Sequence, residues 1–517
     1  MKSVKYILFS LASLMLSAGC SDFLNTEQRG VTSLEDFYQT DLDAEQALYA
    51  VYDKMQRSGE GTPGRDFFQW KIVLSDDAVA GGGGRGDNYT AEELDEFVFG
   101  PENEIITFMF TKFYQMIYMA NLLIEKVSPD SPVKQQAIAE AKALRAFAYF
   151  ELVTLWGPVP LVTKILDPTE YAQPNGEVSA IWAQIEQDLQ EAIPVLPLRS
   201  QQSPARLANV SRGAAQAWLG KAYLFQEKFQ EAAEAFEQVI QSNEYRLLAD
   251  FRNITRHAWE FSEESLFEVS YYEDLINPEY TCALAYGGPR ESWFKAGTSG
   301  ITETGWHYTA PENDLYQAFI DHGETVRMYG SVWSEKELAE VGGSYRKADN
   351  SLPHGTEGYI RIKHGAYVDE FPNQIDAMHW NGGMNYRITR YADVLLMAAE
   401  ALCRKAAPDN AKALGYVNQV RERAELPPLT SQGAQLFEDI KQERRFELAF
   451  EFSRYQDLLR WGDAAEALKD RGKRIPNGDG TYLEFPNAGF KKGRHELLPF
   501  PYTEMNVNPN LVQNPGY

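Results

Sequence analysis

The sequence predicts a mainly α protein of stacked tetratricopeptide-like helical hairpins, with an irregular, loop-rich lobe inserted between them. Three observations predict this class. Amphipathic helical spacing covers much of both ends of the chain, one segment has the offsets of a helical repeat, and one stretch lacks long helical periodicity. The chain has 517 residues, 44% of them hydrophobic and 13% aromatic, which is enough for two or three packed lobes.

The clearest predicted element is a helical hairpin over residues 211–242. Small residues in it let two antiparallel helices approach, and aromatic rings fill the groove beside them. One such hairpin cannot bury its own apolar face, so further hairpins must stack on it. The residues that match the repeat pattern are Leu219, Gly220, Tyr223, Phe229, Ala232 and Phe236.

Further amphipathic helices are predicted on both sides of this hairpin. The first begins with a Ser33-x-x-Asp36 cap, and the third is stopped by the turn at 157–160, Gly-Pro-Val-Pro. The predicted helices cover residues 33–57, 104–127, 133–156, 387–405, 410–424 and 435–461.

Residues 258–386 differ from the rest of the chain. They are rich in Gly, Tyr and Trp and lack long helical periodicity, so we expect loops, short strands and short helices there. This gives a predicted division into a signal peptide at 1–19, a helical region at 20–257, the irregular lobe at 258–386 and a second helical region at 387–517.

The N-terminus predicts export and a lipid anchor. Lys2 and Lys5 precede an apolar run that ends at Leu16, and small residues lead into Cys20. The run is shorter than the roughly 20 residues that span a bilayer. We therefore expect cleavage before Cys20, whose thiol then carries the lipid.

Charge and cysteine content limit the possible partners. The formal net charge is −25, which repels phosphate backbones and makes nucleic acid a poor partner. Beyond Cys20 only Cys282 and Cys403 remain; we expect two buried free thiols, with a disulfide between them as the open alternative. The His residues are scattered singly, so we expect no zinc site. Whether a calcium ion supports the loop near Asp76 stays open, although no EF-hand spacing is present, and no cofactor is expected.

Five blocks in order make the chain resemble the SusD/RagB family of bacterial surface glycan-binding lipoproteins. The resemblance runs nearly from end to end. The blocks are CSDFL at 20–24, EAKALRAFAYF at 140–150 with LWGPVPL at 155–161, RYADVLLMAAEA at 390–401, ERRFEL and DLLRWG within 440–462, and the tail 498–517, which ends in NPGY.

The resemblance implies a fold, a location, an activity and a partner. The fold is a stack of tetratricopeptide-like helices with a less regular ligand lobe, on a lipoprotein at the outer face of the outer membrane. The implied activity is capture of an oligosaccharide without chemistry. The implied partner is a SusC-like TonB-dependent transporter barrel, over which the lipoprotein closes like a hinged lid.

A site for neutral sugars needs aromatic rings as platforms and polar side chains for the hydroxyls. The aromatic candidates lie in the irregular lobe: Tyr286, Trp293, Trp306, Tyr308 and Trp333. The polar candidates lie in or before an early loop with four consecutive glycines: Asp76, Asp77, Arg85, Asp87 and Asn88. No catalytic residue is predicted.

Three alternatives stay open at this point. The same architecture could carry peptide cargo, or form a lid with no cargo affinity of its own. A secreted glycoside hydrolase would use paired carboxylates, and Glu443, Glu447 and Glu451 do lie four residues apart. We interpret these three instead as an ion-paired helix face inside the repeat stack.

Overall fold

The computed structural model describes residues 37–56, 67–271, 283–290, 294–301, 305–365, 367, 370 and 383–517. Predicted features at Cys20, Ser33–Asp36, Cys282 and Trp293 lie outside these residues.

Long helices dominate the N-terminal half. A Pro at the first position and Ser131 as N-cap begin the longest of them, and Gly157 ends it. The helices are α1 (Asp41–Asp53), α2 (Phe67–Val73), α3 (Tyr89–Asp95), α4 (Glu104–Lys126), α5 (Pro132–Trp156), α6 (Val178–Ala192), α7 (Arg212–Phe225) and α8 (Phe229–Gln241).

Short helices mark the irregular stretch, and longer ones return after it. The short helices are α9 (Ala283–Gly287), α10 (Asn313–Asp321), α11 (Val326–Tyr329) and α12 (Glu335–Glu340). The C-terminal helices are α13 (Tyr391–Arg404), α14 (Asn410–Arg423), α15 (Gly433–Leu448), α16 (Arg454–Trp461), α17 (Ala464–Ala467) and α18 (Tyr502–Val507).

The strands are short and pair two by two, all antiparallel, in the described part of the chain. They are β1 (Ala78–Val79) with β3 (Ala310–Pro311), β2 (Ser265–Val269) with β6 (Tyr386–Arg390), β4 (Val332–Trp333) with β5 (Ile360–Arg361), and β7 (Arg474–Pro476) with β8 (Tyr482–Glu484). The β2–β6 pair brings the two ends of the irregular stretch together.

The helices stack as sequential hairpins around one apolar core. Neighbouring helices pack in the order α4–α5–α6–α7–α8, and α8 then packs against α13, which contacts α14 and α15. The fold class predicted from the sequence is confirmed. In the α7–α8 hairpin, a Cβ added at Gly220 would lie 2.7 Å from the Phe236 ring, which explains the small residue at this position.

Three parts of the predicted helices are not helical in the described chain: residues 37–40, 387–390 and 449–453. Helix α1 begins at Asp41, because Thr40 and Asp43 form a capping box there, with the Asp43 carboxylate accepting from the Thr40 N–H at 2.7 Å. Residues 387–390 belong to β6, since pairing with β2 holds them extended. The helix expected over 435–461 is broken between α15 and α16, where Phe450 and Phe452 have positive φ.

The carboxylates of α15 and the turn after it lie in a buried ion network. Glu447 contacts Arg390 at 3.0 Å and Arg423 at 2.6 Å, and Glu451 contacts Arg390 at 2.6 Å. Glu443 contacts Arg327 at 2.9 Å. The interpretation of these carboxylates as ion-paired groups inside the stack is confirmed, but Glu451 lies beyond the end of α15 and does not share its helix face.

Two further observations concern the thiol of Cys403 and the hydropathy of the helices. Cys403 is a buried free thiol. Within the described ranges, we find no helix that combines the length and the apolarity needed to cross a bilayer.

Candidate functional site

The pairing of β1 with β3 positions the candidate site. It aligns Ala78 with Pro311 and Val79 with Ala310, so the glycine-rich loop 81–88 lies opposite the segment 306–309. That segment is held to α9 and the turn after it by backbone hydrogen bonds. Trp306 donates to Ala285 at 2.6 Å, and Thr309 donates to Tyr286 at 3.1 Å. Segments far apart in sequence thus meet at one place.

Two aromatic rings form the surface of the candidate site. The Trp306 and Tyr308 side chains are both half-buried, with ring centroids 5.5 Å apart and planes inclined by 40°. Tyr286 lies beneath them, fully buried, and meets both rings edge-on at 5.7 and 5.9 Å. The result is a supported, non-coplanar aromatic pair with part of its area open to solvent.

A polar pair lies beside the two rings. The Arg290 guanidinium contacts the Asp87 carboxylate at 3.1 Å and donates to the Trp306 carbonyl oxygen at 3.4 Å. The side chains of Arg290 and Asp87 are 22% and 30% exposed. Aromatic area and hydrogen-bonding groups therefore face solvent together, which is the combination that binds a polyhydroxylated ligand.

His307 lies between the two rings in sequence but points inward. It is fully buried, its backbone has φ 59°, and its ring meets Tyr345 edge-on at 5.2 Å. Burial, together with the positive charge of Arg290, lowers the pKa of His307 to about 3. The imidazole therefore stays neutral beneath the aromatic pair at any physiological pH.

The glycine run allows the loop to approach this segment closely. A Cβ added at Gly81 would lie 2.3 Å from the His307 carbonyl oxygen, whereas one added at Gly84 would have nothing within 4 Å. Neither glycine has a positive φ. The need for glycine at position 81 is therefore steric.

This difference yields a prediction about stability. We expect Gly81→Ala to lower the free energy of unfolding by about 1–3 kcal/mol, because backbone must move to admit the new methyl group. Gly84→Ala is the matched control, and denaturant unfolding of both variants is the measurement. Equal midpoints for the two variants would contradict the close approach.

Two of the five aromatic candidates lie in the interior, and we correct their assignment as platforms. Tyr286 is 0% exposed and supports the pair from below. Trp333 is 5% exposed, packs in a separate apolar cluster, and donates from its indole N–H to the Tyr329 carbonyl at 2.8 Å. Neither ring offers a face to a ligand.

Three polar candidates are also engaged elsewhere. Asp76 forms a bidentate ion pair with Arg454, at 2.7 and 2.8 Å, and Asp77, which is 1% exposed, pairs with Arg445 at 2.9 Å. Burial alone would raise the pKa of Asp76, but the guanidiniums of Arg454 and Arg445 lower it. These two carboxylates tie the loop to α15 and α16 and do not face a ligand.

Arg85 is likewise directed away from the aromatic pair. It pairs with Glu92 at 3.2 Å and with Glu96, and its guanidinium lies over the Phe485 ring at 4.5 Å. Asn88 is half-buried and precedes α3, where its side-chain oxygen accepts from the Thr90 hydroxyl at 3.2 Å. Asn88 stays a prediction as a ligand contact.

Sequence reasoning missed Arg290, whose guanidinium lies beside the two rings. Arg290 follows Gly287-Gly288-Pro289, a turn signal in the irregular stretch, but nothing in the sequence pairs it with Asp87, 203 positions earlier.

Two family models match the chain. The one described as the SusD family covers residues 257–517, and the one described as starch-binding and associating with the outer membrane covers residues 23–224. Among curated relatives, SusD-like protein P2 of Formosa agariphila is 28% identical over 99% of this chain and 100% of its own length.

Solved structures match as well. A laminarin-binding SusD-like protein is 31% identical, with a TM-score of 0.79 over 93% of this chain and 100% of that one. Surface glycan-binding protein A from Bacteroides thetaiotaomicron, in complex with laminarihexaose, is 22% identical, with a TM-score of 0.76 over 92% of this chain and 100% of that one. At that identity, the second match bears on the fold alone.

Proposed function

The chain belongs to the SusD family, and on that premise we propose that it is a cell-surface glycan-binding protein. It captures an oligosaccharide or polysaccharide and passes it, unmodified, to a SusC-like TonB-dependent outer-membrane transporter. Cys20 carries the lipid that holds the soluble body to the outer membrane. The match to a family described as associating with the outer membrane supports this location.

The observation that carries the proposal is the supported aromatic pair beside a polar pair. The rings of Trp306 and Tyr308 present apolar area for the C–H faces of sugars, and Asp87 and Arg290 lie within the same surface to bond hydroxyls. Because the site is shallow and few hydroxyls are fully desolvated, we expect dissociation constants on the order of micromolar or weaker.

A laminarin-type glucan is the first ligand to test. The solved relative at 31% identity is a laminarin-binding protein. The inclined planes of the two rings also suit a chain whose successive sugar faces turn, since each ring can then meet a differently oriented face. A flat chain would be served better by coplanar rings.

Binding alone is proposed, with no chemical step. Glu443, Glu447 and Glu451, the carboxylates that the hydrolase alternative would use, are held in ion pairs with Arg327, Arg390 and Arg423. A carboxylate that is buried and paired in this way has no access to a glycosidic bond.

Affinity electrophoresis of the purified chain against a panel of polysaccharides tests the proposal. We expect retardation by at least one neutral glucan, and no release of reducing ends from it. Capture of mixed peptides with no retardation by any glycan would overturn the proposal in favour of peptide cargo. Copurification of an outer-membrane β-barrel with the lipidated chain tests the partner separately.

A further inference from the structure

An ion pair between described residues lies at the rim of the aromatic pair. Arg290 is the cation beside Trp306, and the carboxylate of Asp87 contacts it at 3.1 Å from the glycine-rich loop. Both side chains are partly exposed, so a ligand on the rings meets them as a pair. The Asp87 carboxylate offsets the positive charge of Arg290 at this position.

The Asp87 carboxylate is held in place by its own loop. The Gly83 N–H donates to Oδ2 at 2.7 Å, and the Asp87 N–H donates to the Gly84 carbonyl at 3.1 Å. Gly82 has φ +132°, and a Cβ there would lie 2.9 Å from the same Oδ2. The loop therefore leaves room for this carboxylate and directs it at Arg290.

We infer that Asp87 is a specificity-determining residue that makes the site select uncharged glycans over polyuronates. This inference rests on the proposed function. An isolated guanidinium beside a sugar site would attract a uronate carboxylate, because Arg binds carboxylates with strong, charge-assisted hydrogen bonds. Asp87 occupies that cation and repels a second carboxylate, in line with the net charge of −25.

The test compares a neutral and an anionic glycan. The full chain, purified in mild detergent, is titrated with laminarin and with polygalacturonate. We expect the unmodified protein to bind laminarin and to bind polygalacturonate at least tenfold more weakly. Asp87→Asn keeps the size of the side chain and removes its charge, so binding to polygalacturonate should tighten roughly tenfold and weaken again as salt is added.

Two further variants make the result specific. Asp479→Asn changes the net charge by the same amount at an exposed position in the β7–β8 turn, and it should leave polygalacturonate binding unchanged. The double variant Asp87→Asn/Arg290→Gln should lose the gain, because the gain requires the guanidinium. Thermal melting of each variant shows whether it is folded.

The outcomes separate this inference from the proposed function. Equal polygalacturonate binding by Asp87→Asn and Asp479→Asn overturns the inference, as does a gain that persists in the double variant. Tight polygalacturonate binding by the unmodified protein overturns it too. If no neutral glycan binds at all, the proposed function fails. Binding of polygalacturonate by Asp87→Asn then still tests whether the Arg290 guanidinium attracts a carboxylate.

Discussion

Trp306→Ala is expected to weaken binding of the neutral glucan about tenfold or more. The ring is half-buried, lies on Tyr286, and supplies one of the two faces on which a sugar can stack. Burying a large apolar side chain contributes about 1.5–3 kcal/mol, and each 1.4 kcal/mol changes a dissociation constant roughly tenfold. Isothermal titration with a soluble laminarin-type oligosaccharide measures the change directly.

Two matched variants distinguish stacking of a sugar on the Trp306 ring from packing of that ring inside the protein. Trp259→Ala removes another accessible indole, 40% exposed in a short 3₁₀ helix before β2, and should leave the dissociation constant unchanged. Trp306→Phe keeps a ring on Tyr286 and should lose only part of the affinity. If Trp306→Ala is folded by thermal melting and still binds with full affinity, the sugar platform lies elsewhere on the molecule.

The helical stack could be predicted because the residues that determine it lie close together in the sequence. In the α7–α8 hairpin the small residue at Gly220 and the ring at Phe236 are only 16 positions apart, and one contact joins them. Two other helix boundaries were harder to predict, because they depend on distant partners. One is set by the pairing of β6 with β2, and the other lies at Phe452, which packs against Phe68 and Tyr386. Helical periodicity alone carries no information about those partners.

The candidate site was predicted in part. The irregular stretch did contain the open aromatic pair, but the exposure of each ring depends on what packs over it. Tyr286 and Trp306 come from the same stretch, yet one is covered by the other. The Asp87–Arg290 pair joins two loops through the β1–β3 register, and that register involves only two residue pairs. Such a short pairing leaves no pattern in the sequence.

The second large effect is expected at Arg390, in the buried ion network of the C-terminal helices. Arg390 is 2% exposed and contacts Glu264, Glu447 and Glu451. Arg390→Met removes the cation that all three carboxylates share, and leaves Arg423 and Lys363 among their remaining cationic partners. Removing one partner of a buried ion pair costs about 3–5 kcal/mol, so we expect the free energy of unfolding to fall by about that amount. Denaturant unfolding near neutral pH is the measurement.

A control variant and the pH dependence of stability test whether the charge of Arg390 causes the loss of stability. Arg246→Met removes the same type of side chain from a pair with Glu263 in which Arg246 is 77% exposed, and it should have little measurable effect.

Burial alone would raise the pKa of Glu447, but the guanidiniums of Arg423, Arg390 and Arg327 lower it to about 2. A lowered folded-state pKa contributes stability above the unfolded value of about 4.3, and this stability is lost as the pH falls through the folded value. The stability difference between the unmodified protein and Arg390→Met should therefore narrow from about pH 6 to about pH 3. A difference that is the same at both ends of that range would mean that Arg390 stabilises the stack through its packing and not through its charge.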